Sequence, residues 1–330
     1  MQQGCSSHYS ISVIIPTFNR AALVSQAIDS ALSQTRVPDE IVVVDDGSTD
    51  ETPEVLSRYG SSIRVVRQEN RGRSAARNAG IQNSKGDLIV FLDSDDLLTP
   101  TSIERRIHYF DSSPDIGVVY GDMHVIDLAG DDLGLHRQYM PGPRPSGFVL
   151  SELALRSFVL MSVIIRRASL GDNLFDVTLE HCEDYDLWRR VAATWQFQYC
   201  DEPVAIYRIH DANTIVTQPN RIKEFELLVQ QRIYAMPEFH ALTRREKARA
   251  YCHHGAKNAA LGNRVASRRY FARAVRAYPF SPTACALLLL SLGQPRLLSS
   301  VVGLRRKLVA HSLIDAPGKQ QASRATASFG

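Results

Sequence analysis

The sequence has little of what marks secreted, disulfide-stabilised or membrane-spanning proteins. Its five cysteines are odd in number, widely spaced and free of C-x-x-C pairs, which argues against a disulfide framework and against a zinc ribbon. Its uninterrupted apolar stretches are no longer than a strand, so the composition does not fit a polytopic membrane protein. The first ten residues contain neither the basic nor the apolar segment of a secretory signal. We therefore expect a cytoplasmic chain with reduced thiols.

Acidic residues are scarce in the last third of the chain. Residues 221–330 contain 19 Lys or Arg against 5 Asp or Glu, whereas residues 1–220 contain 19 against 30. This asymmetry favours an anionic partner for the basic region, either lipid headgroups or nucleic acid. Nucleic acid is disfavoured because the arginines alternate with helix-forming alanines and no recognised binding motif occurs. We expect no nucleic-acid partner.

The first hundred residues alternate between apolar runs and helix-period segments. This alternation predicts an open α/β sheet with right-handed crossovers. The predicted buried strands are Ile11–Ile15, Ile41–Val44, Ile63–Val66 and Leu88–Leu92. The predicted helices are Ala22–Gln34, Glu51–Tyr59, Arg73–Asn83 and Thr101–Phe110. Further strands are predicted at Val118–Tyr120 and Val163–Arg166, on either side of a loop at Pro141–Gly147 that is typical of a substrate lid.

Polar residues follow each of the first four strands, where open α/β sheets bind ligands. No G-x-G-x-x-G follows the first strand, so nothing there indicates a dinucleotide cofactor. Asp93, Asp95 and Asp96 concentrate like charge, which favours Mg²⁺ or Mn²⁺, although an acidic loop with a helix cap is equally compatible. Asp45 and Asp46 could accept hydrogen bonds from a nucleotide base, or the segment could simply form a turn at Gly47 and a Ser48–Glu51 capping box.

Two further segments carry charge suited to this chemistry. Asn70, Arg71 and Arg73 could bind diphosphate oxygens, with surface solvation as the alternative. Glu183 and Asp184 precede apolar residues at helical spacing, which places both acids in the first turn of a helix. Capping accounts for one of these two acids, and the other is a candidate general base.

Four strings occur in order at these strand ends: ISVIIPTFNR, EIVVVDDGSTDET, QENRGRSAARNAG and GDLIVFLDSDD. With them the chain resembles glycosyltransferase family 2, the inverting nucleotide-sugar enzymes with the GT-A fold. The resemblance covers about residues 10–215, including CEDYDLWRRVA and YRIHDANTI. It implies a GT-A catalytic domain at residues 1–220, with an open, mostly parallel sheet flanked by helices. Residues 221–330 match no named motif and are expected to form a basic helical extension, as is common in bacterial members.

The resemblance also implies a role for each motif. Asp184 would be the catalytic base, with Glu183 beside it. Asp93 and Asp95 would form the Asp-x-Asp motif, with Asp95 the more direct ligand to Mn²⁺ or Mg²⁺. His210, which follows the strand-like segment Val204–Ile209, would contact the metal or diphosphate, unless it is a capping or exposed histidine. The residues expected to bind the nucleotide sugar are Pro16, Thr17, Asn19, Asp45, Asp46, Asn70, Arg71, Arg73 and Asp93.

The expected function is inverting transfer of a hexose-type sugar from a nucleoside-diphosphate donor, UDP-linked, to a saccharide or lipid-linked saccharide in cell-surface polysaccharide or glycolipid synthesis. A sugar nucleotidyltransferase is disfavoured, since no Gly-rich phosphate loop with a Lys follows the first strand. The non-enzyme alternative is a nucleotide-sugar-binding or membrane-docked scaffold protein. The basic region could dock on the inner face of the cell membrane through Ala284–Leu290, Leu297–Leu304 and the Arg305–Lys307 cluster, or could instead cap the acidic domain.

Overall fold

A computed structural model describes residues 9–159, 162–210 and 217–292 of the 330-residue chain. The chain divides into two units. The first comprises Met1–Val149 and Phe158–Gln218, and the second comprises Leu150–Ser157 and Pro219–Gly330. Residues Leu297–Leu304 and Arg305–Lys307, to which the sequence assigned membrane contact, lie outside the described residues.

A nine-stranded sheet forms the first unit. Its strands are β1 (Ile11–Thr17), β2 (Glu40–Asp45), β3 (Arg64–Arg67), β4 (Leu88–Phe91), β5 (Leu97–Leu98), β6 (Ile116–Ile126), β7 (Asp132–Leu135), β8 (Ile164–Arg166) and β9 (Gln196–Arg208). The spatial order is β3-β2-β1-β4-β8-β6-β9-β5, with β7 paired to β6. β1 to β4 are mutually parallel, as are β6 and β9, whereas β8 runs antiparallel between β4 and β6. The predicted open, mostly parallel α/β sheet is confirmed.

The helices in chain order are α1 (Ala21–Leu32), α2 (Thr52–Ser57), α3 (Arg73–Gln82), α4 (Ser102–Ser112), α5 (His136–Tyr139), α6 (Leu150–Leu153), α7 (Arg167–Leu170), α8 (Glu183–Val191), α9 (Pro219–Tyr234), α10 (Pro237–Ala241), α11 (Arg244–Ala260), α12 (Arg264–Ala277) and α13 (Pro282–Leu292). α3 packs closely on the sheet because Gly80 has no side chain. A Cβ there would lie 2.3 Å from Cγ2 of Ile14 on β1. The short distance between α3 and β1 brings the buried residues of α3 against the sheet.

Three local predictions are wrong. The third strand is an exposed edge strand, with three of its four residues exposed, because only β2 pairs with it. β9 begins at Gln196 rather than Val204, since register shifts opposite Gly121 and Asp122 accommodate the polar segment at Asp201. The Ser48–Glu51 capping box does not form, and α2 begins at Thr52, whose backbone N–H donates to Asp50 Oδ1 at 3.0 Å.

The described part of the second unit is helical. α11 begins with a capping box in which Thr243 Oγ1 accepts from the N–H of Glu246, while the carboxylate of Glu246 accepts from the N–H of Thr243. α11 and α12 form a hairpin through a three-residue connection containing Gly262, which has a φ of +79°. Within the unit, Arg249 pairs with Glu152, which ties α11 to α6.

None of the helices in the described residues combines the length and the apolar character that crossing a membrane requires.

Candidate active site

The loops after β1 and β2 are joined through Asn19. Its backbone N–H donates to Ser48 Oγ at 3.0 Å, and its Oδ1 accepts from the N–H of Thr49 at 2.8 Å. Asn19 has a φ of +50°, a left-handed conformation that asparagine tolerates better than most residues.

Pro16 and Thr17, predicted to follow β1, are instead its last two residues. They pair with Val44 and Asp45 of β2.

Asp45 and Asp46 are buried and their carboxylates hold the surrounding loops. Asp45 Oδ1 accepts from the N–H of Ser48 at 2.9 Å. Asp46 accepts from the backbone N–H groups of Arg71 and Gly72 at 3.0 and 2.8 Å, and from the amide of Gln68 at 2.7 Å. Both acids therefore stabilise the loops after β2 and β3, and this positions the exposed residues Asn70, Arg71 and Arg73 at the carboxyl edge of the sheet.

Arg77 of α3 connects the two acidic motifs. Its Nη1 lies 2.6 Å from Glu183 Oε1, and its Nη2 lies 2.7 Å from Asp93 Oδ1. The guanidinium is buried, which lowers its pKa, but the two carboxylates more than offset this effect and the net pKa is raised. Arg77 therefore stays charged and holds the Asp93 loop beside the first turn of α8.

Asp184 is the partly exposed acid of this cluster. Its neighbour Glu183 is buried and paired to Arg77, whereas Asp184 Oδ1 accepts the backbone N–H of Tyr185 at 2.6 Å. Desolvation, and then the charge of Glu183, raise the pKa of Asp184 to about 7, although Arg77 acts in the opposite direction. A carboxyl group with this pKa can exchange a proton near neutral pH.

The Asp93–Asp96 segment contains three carboxylates in three different environments. Asp95 Oδ2 lies 3.0 Å from His210 Nε2 and 3.8 Å from Arg20 Nε. Asp96 accepts from the N–H of Arg208, and burial, followed by the Asp95 and Asp93 charges, raises its pKa. Neither Asp96 nor Thr99 caps α4, so that alternative for the segment is wrong. The side chains of Asp95 and Asp93 are 20% and 32% exposed, whereas Asp96 is buried.

Asp95 and His210 are the pair that could hold a divalent cation. Across residues 9–159, 162–210 and 217–292 no group of three or more His, Cys, Asp or Glu side chains forms a metal site. Mg²⁺ and Mn²⁺, however, are commonly held by one or two protein ligands together with substrate phosphates. A carboxylate oxygen and an imidazole nitrogen 3.0 Å apart at an accessible strand end fit that ligand set. Asp93 is less available because Arg77 binds it.

Sequence reasoning missed two residues of this site. Arg77 was detectable as a charged residue among the buried positions of α3, between Ala76 and Gly80, where an uncompensated charge would be costly. Phe18 follows β1 and is 41% exposed, so an aromatic ring faces solvent beside Asn19. In the sequence, Phe18 could have been noticed as a large apolar residue inside an otherwise polar segment at the end of a strand.

The loop at Pro141–Gly147 is held at its carboxyl end. The N–H of Gly147 donates to the carbonyl of Phe197 at 2.7 Å, and Tyr120 Oη donates to the carbonyl of Pro145 at 2.7 Å. These bonds fix one end of the segment against β6 and β9. A role for it as a substrate lid stays a prediction.

Comparisons with known proteins identify the family of this chain. The family model for glycosyl transferase family 2 matches residues 12–170. An uncharacterized glycosyltransferase of Rickettsia typhi is 34% identical over 228 residues, which are 66% of this chain and 70% of that protein. The chain belongs to glycosyl transferase family 2, and it is a glycosyltransferase.

Solved structures share the fold at low identity. S. aureus TarS 1–349 in complex with UDP-GlcNAc has a TM-score of 0.60 at 18% identity, covering 96% of this chain and 92% of that one. Mannosyltransferase PcManGT from Pyrobaculum calidifontis, in complex with GDP-Man and Mn²⁺, has a TM-score of 0.56 at 17% identity, covering 90% and 85%. The first unit accordingly has the GT-A fold.

The Arg77 bridge predicts a large stability difference between two arginines of α3. Arg77→Met leaves the buried Glu183 carboxylate without its cation, so the free energy of unfolding should fall by about 3–5 kcal/mol. Arg73→Met, whose exposed guanidinium lies 3.9 Å from the same carboxylate, should cost about 1 kcal/mol or less. Urea unfolding of both variants measures the difference. Equal losses would show that the bridge contributes nothing beyond a surface ion pair.

Proposed function

We propose that this glycosyltransferase transfers a sugar, with inversion, from a UDP-linked donor to a saccharide or lipid-linked saccharide hydroxyl. The observation that carries the proposal is that Arg77 binds one carboxylate from each of two acidic segments, and these segments have different environments. Arg77 binds Asp93, which is on the same strand-end segment as Asp95 and its neighbour His210. It also binds Glu183 at the start of α8, next to Asp184, whose pKa is raised. Sugar transfer needs one group to stabilise the departing diphosphate and another to accept the acceptor's proton.

The nucleotide is proposed to bind over the loops after β1, β2 and β3. Phe18 offers a ring for stacking on a base, and Thr17 has a buried hydroxyl with no partner among the described residues. Arg71 and Arg73, on the loop held by Asp46, suit diphosphate oxygens. The UDP-GlcNAc complex of TarS supports a UDP donor, and the GDP-Man complex of PcManGT keeps GDP as an alternative in a donor screen.

Asp184 is the proposed base. As the acceptor oxygen bonds to the anomeric carbon, its proton passes to the Asp184 carboxylate, and the bond to the nucleoside diphosphate breaks on the opposite face. Glu183 is held by Arg77, so it orients the first turn of α8 and raises the basicity of its neighbour. The roles of the two acids therefore differ although they are adjacent in the chain.

Asp95 and His210 would hold Mn²⁺ or Mg²⁺. Such an ion, when bound, neutralises charge on the leaving diphosphate. The Asp95 side chain reaches this position from the carboxyl end of β4, and His210 reaches it from the end of β9. Arg20, 3.8 Å from Asp95, adds a cation to the same edge.

The base assignment predicts a pH-dependent rate. Asp184 accepts a proton only when ionised, so transfer should increase as pH rises through about 7 and level off above it. Asp184→Asn should abolish this dependence and lower turnover by at least about 10²-fold, with donor binding retained. Asp172→Asn, an exposed carboxylate outside the network, is the control for turnover measured by nucleotide release. Normal turnover by the Asp184 variant would move the role to Glu183 or Asp186.

The metal assignment predicts a loss of metal-dependent nucleotide affinity. Asp95→Ala and His210→Ala should each weaken UDP binding in Mn²⁺ by at least about tenfold and nearly abolish transfer. The partly exposed Asp95 makes few contacts, so its substitution should leave the melting temperature nearly unchanged. His124→Ala serves as the histidine control in calorimetric titrations with and without Mn²⁺. Unchanged affinity in the Asp95 variant would contradict the assignment.

We also propose that the basic helical region docks on anionic membrane lipid near a lipid-linked acceptor. α13 contains the apolar run Ala284–Leu290, and Leu289 and Leu292 are 68% and 62% exposed. An exposed apolar face together with basic residues gives the two signals that reversible membrane binding generally requires.

Co-sedimentation of the full chain with vesicles tests membrane docking. Binding should require phosphatidylglycerol and weaken as salt is added, because exposed charges are screened. Phosphatidylcholine vesicles are the control. No binding to either vesicle would refute the proposed docking, and it would leave the transfer reaction untouched.

A further inference from the structure

A cavity in the second unit carries a concentration of positive charge that sugar transfer at the sheet edge does not use. It has a volume of about 660 Å³ and lies among α9, α10, α11 and α12. Four cationic side chains line it, two from α11 and two from α12: Arg244, Lys247, Arg273 and Arg276. In the described part of the chain no acidic side chain lines it.

The cations come from regular positions on two helices. Arg244 and Lys247 are three residues apart on α11, as are Arg273 and Arg276 on α12, so each pair lies on one helix face. Arg244, Arg273 and Arg276 are exposed and form no ion pair with a carboxylate among residues 217–292. Four like charges converging on one cavity repel each other, and a bound anion would relieve that repulsion.

Aromatic rings form the other part of the lining. Tyr234 and Tyr251 line the cavity with ring centroids 5.1 Å apart, and Tyr234 donates its hydroxyl proton to the carbonyl of Ala250 at 3.2 Å. Burial raises the pKa of Tyr234, so its ring stays neutral at physiological pH. Arg273 lies 5.2 Å from the ring centre of Tyr270, which holds its guanidinium against this cluster. The rings are therefore held in place before any ligand binds.

Size and lining together indicate the ligand class. The volume lies in the range of roughly 300–1,000 Å³ that is typical of small-molecule sites and exceeds what a lone phosphate ion fills. Guanidinium groups bind phosphate oxygens in a bidentate manner, and tyrosine rings contact the apolar face of an organic ring while their hydroxyls bind polar groups. The cavity is open to solvent, since Arg244, Arg273 and Arg276 are exposed, so a phosphate-bearing ligand can reach these side chains directly.

We infer that this cavity is a binding site for a phosphate-bearing saccharide, with the phosphate on the Arg and Lys side chains and the sugar ring against Tyr251. The inference rests on the proposed sugar-transfer function only in identifying the organic part as a sugar. In that setting the ligand is a phosphorylated acceptor, free or linked to lipid, and the site would recognise it independently of the nucleotide donor.

Calorimetric titration of the full chain with glucose 1-phosphate tests the inference. Arg273→Gln/Arg276→Gln should weaken binding by at least about tenfold, because it removes two charge-assisted contacts. Arg264→Gln/Arg269→Gln removes the same charge from exposed positions of the same helix outside the cavity lining, and should change affinity less than about twofold. Arg244→Gln/Lys247→Gln repeats the test from α11 should the first pair fail to fold.

The comparison ligands separate the possible sources of the anion. Glucose should not bind measurably, and inorganic phosphate should bind more weakly than glucose 1-phosphate. Equal losses in the cavity pair and the control pair would overturn the inference, as would inorganic phosphate binding as tightly as the sugar phosphate. Phosphatidylglycerol vesicles bound through the cavity arginines, without sugar-phosphate binding, would also overturn it and assign the site to headgroups.

Binding of UDP with Mn²⁺, measured on the same variants, keeps the two proposals apart. The cavity variants should bind UDP like the unmodified chain. Sugar-phosphate binding without any transfer activity would contradict the proposed function and leave the cavity inference standing. Transfer without sugar-phosphate binding would contradict the cavity inference and leave the proposed function standing.

Discussion

The buried guanidinium of Arg77 is the interaction on which the rest of the candidate site depends. Asp93, Glu183 and Asp184 come from two segments ninety residues apart in the chain, and their carboxylates would repel one another at the edge of the sheet. Arg77 neutralises two of them by direct hydrogen bonds and leaves the third with a raised pKa. Its position follows in turn from Gly80, one helical turn further on, which lets α3 lie against β1.

Carboxylates that look equivalent in the sequence acquire different tasks from their surroundings. Asp45 and Asp46 bind backbone N–H groups and hold loops, whereas Asp95 lies beside His210 at an accessible position. Asp96 is buried and has a raised pKa. Desolvation, neighbouring charge and hydrogen bonding thus give acids of one residue type different environments, and the roles proposed for them differ accordingly.

The second unit follows a different electrostatic pattern from the first. Within the residues that the structure describes, no carboxylate lines the cavity of α11 and α12 to match its cations, and the apolar helix α13 exposes leucines. Unmatched charge and exposed apolar surface both lower stability without a partner, so they point to ligands rather than to internal packing. The two features lie on different helices and are open to separate tests.

The local pattern of residues by itself determined the alternation of strands and helices, the carboxyl-edge position of the acidic segments, and the placement of Glu183 and Asp184 at a helix start. These follow from burial periodicity and helix-terminus chemistry, which act over a few residues. Only the tertiary structure decided that β3 is an edge strand and that β9 begins at Gln196. It also decided that His210 Nε2 lies 3.0 Å from Asp95 Oδ2, and that Arg77 binds both Asp93 and Glu183. These outcomes depend on pairing between segments far apart in the chain, and no local pattern specifies which distant charge will neutralise a buried one.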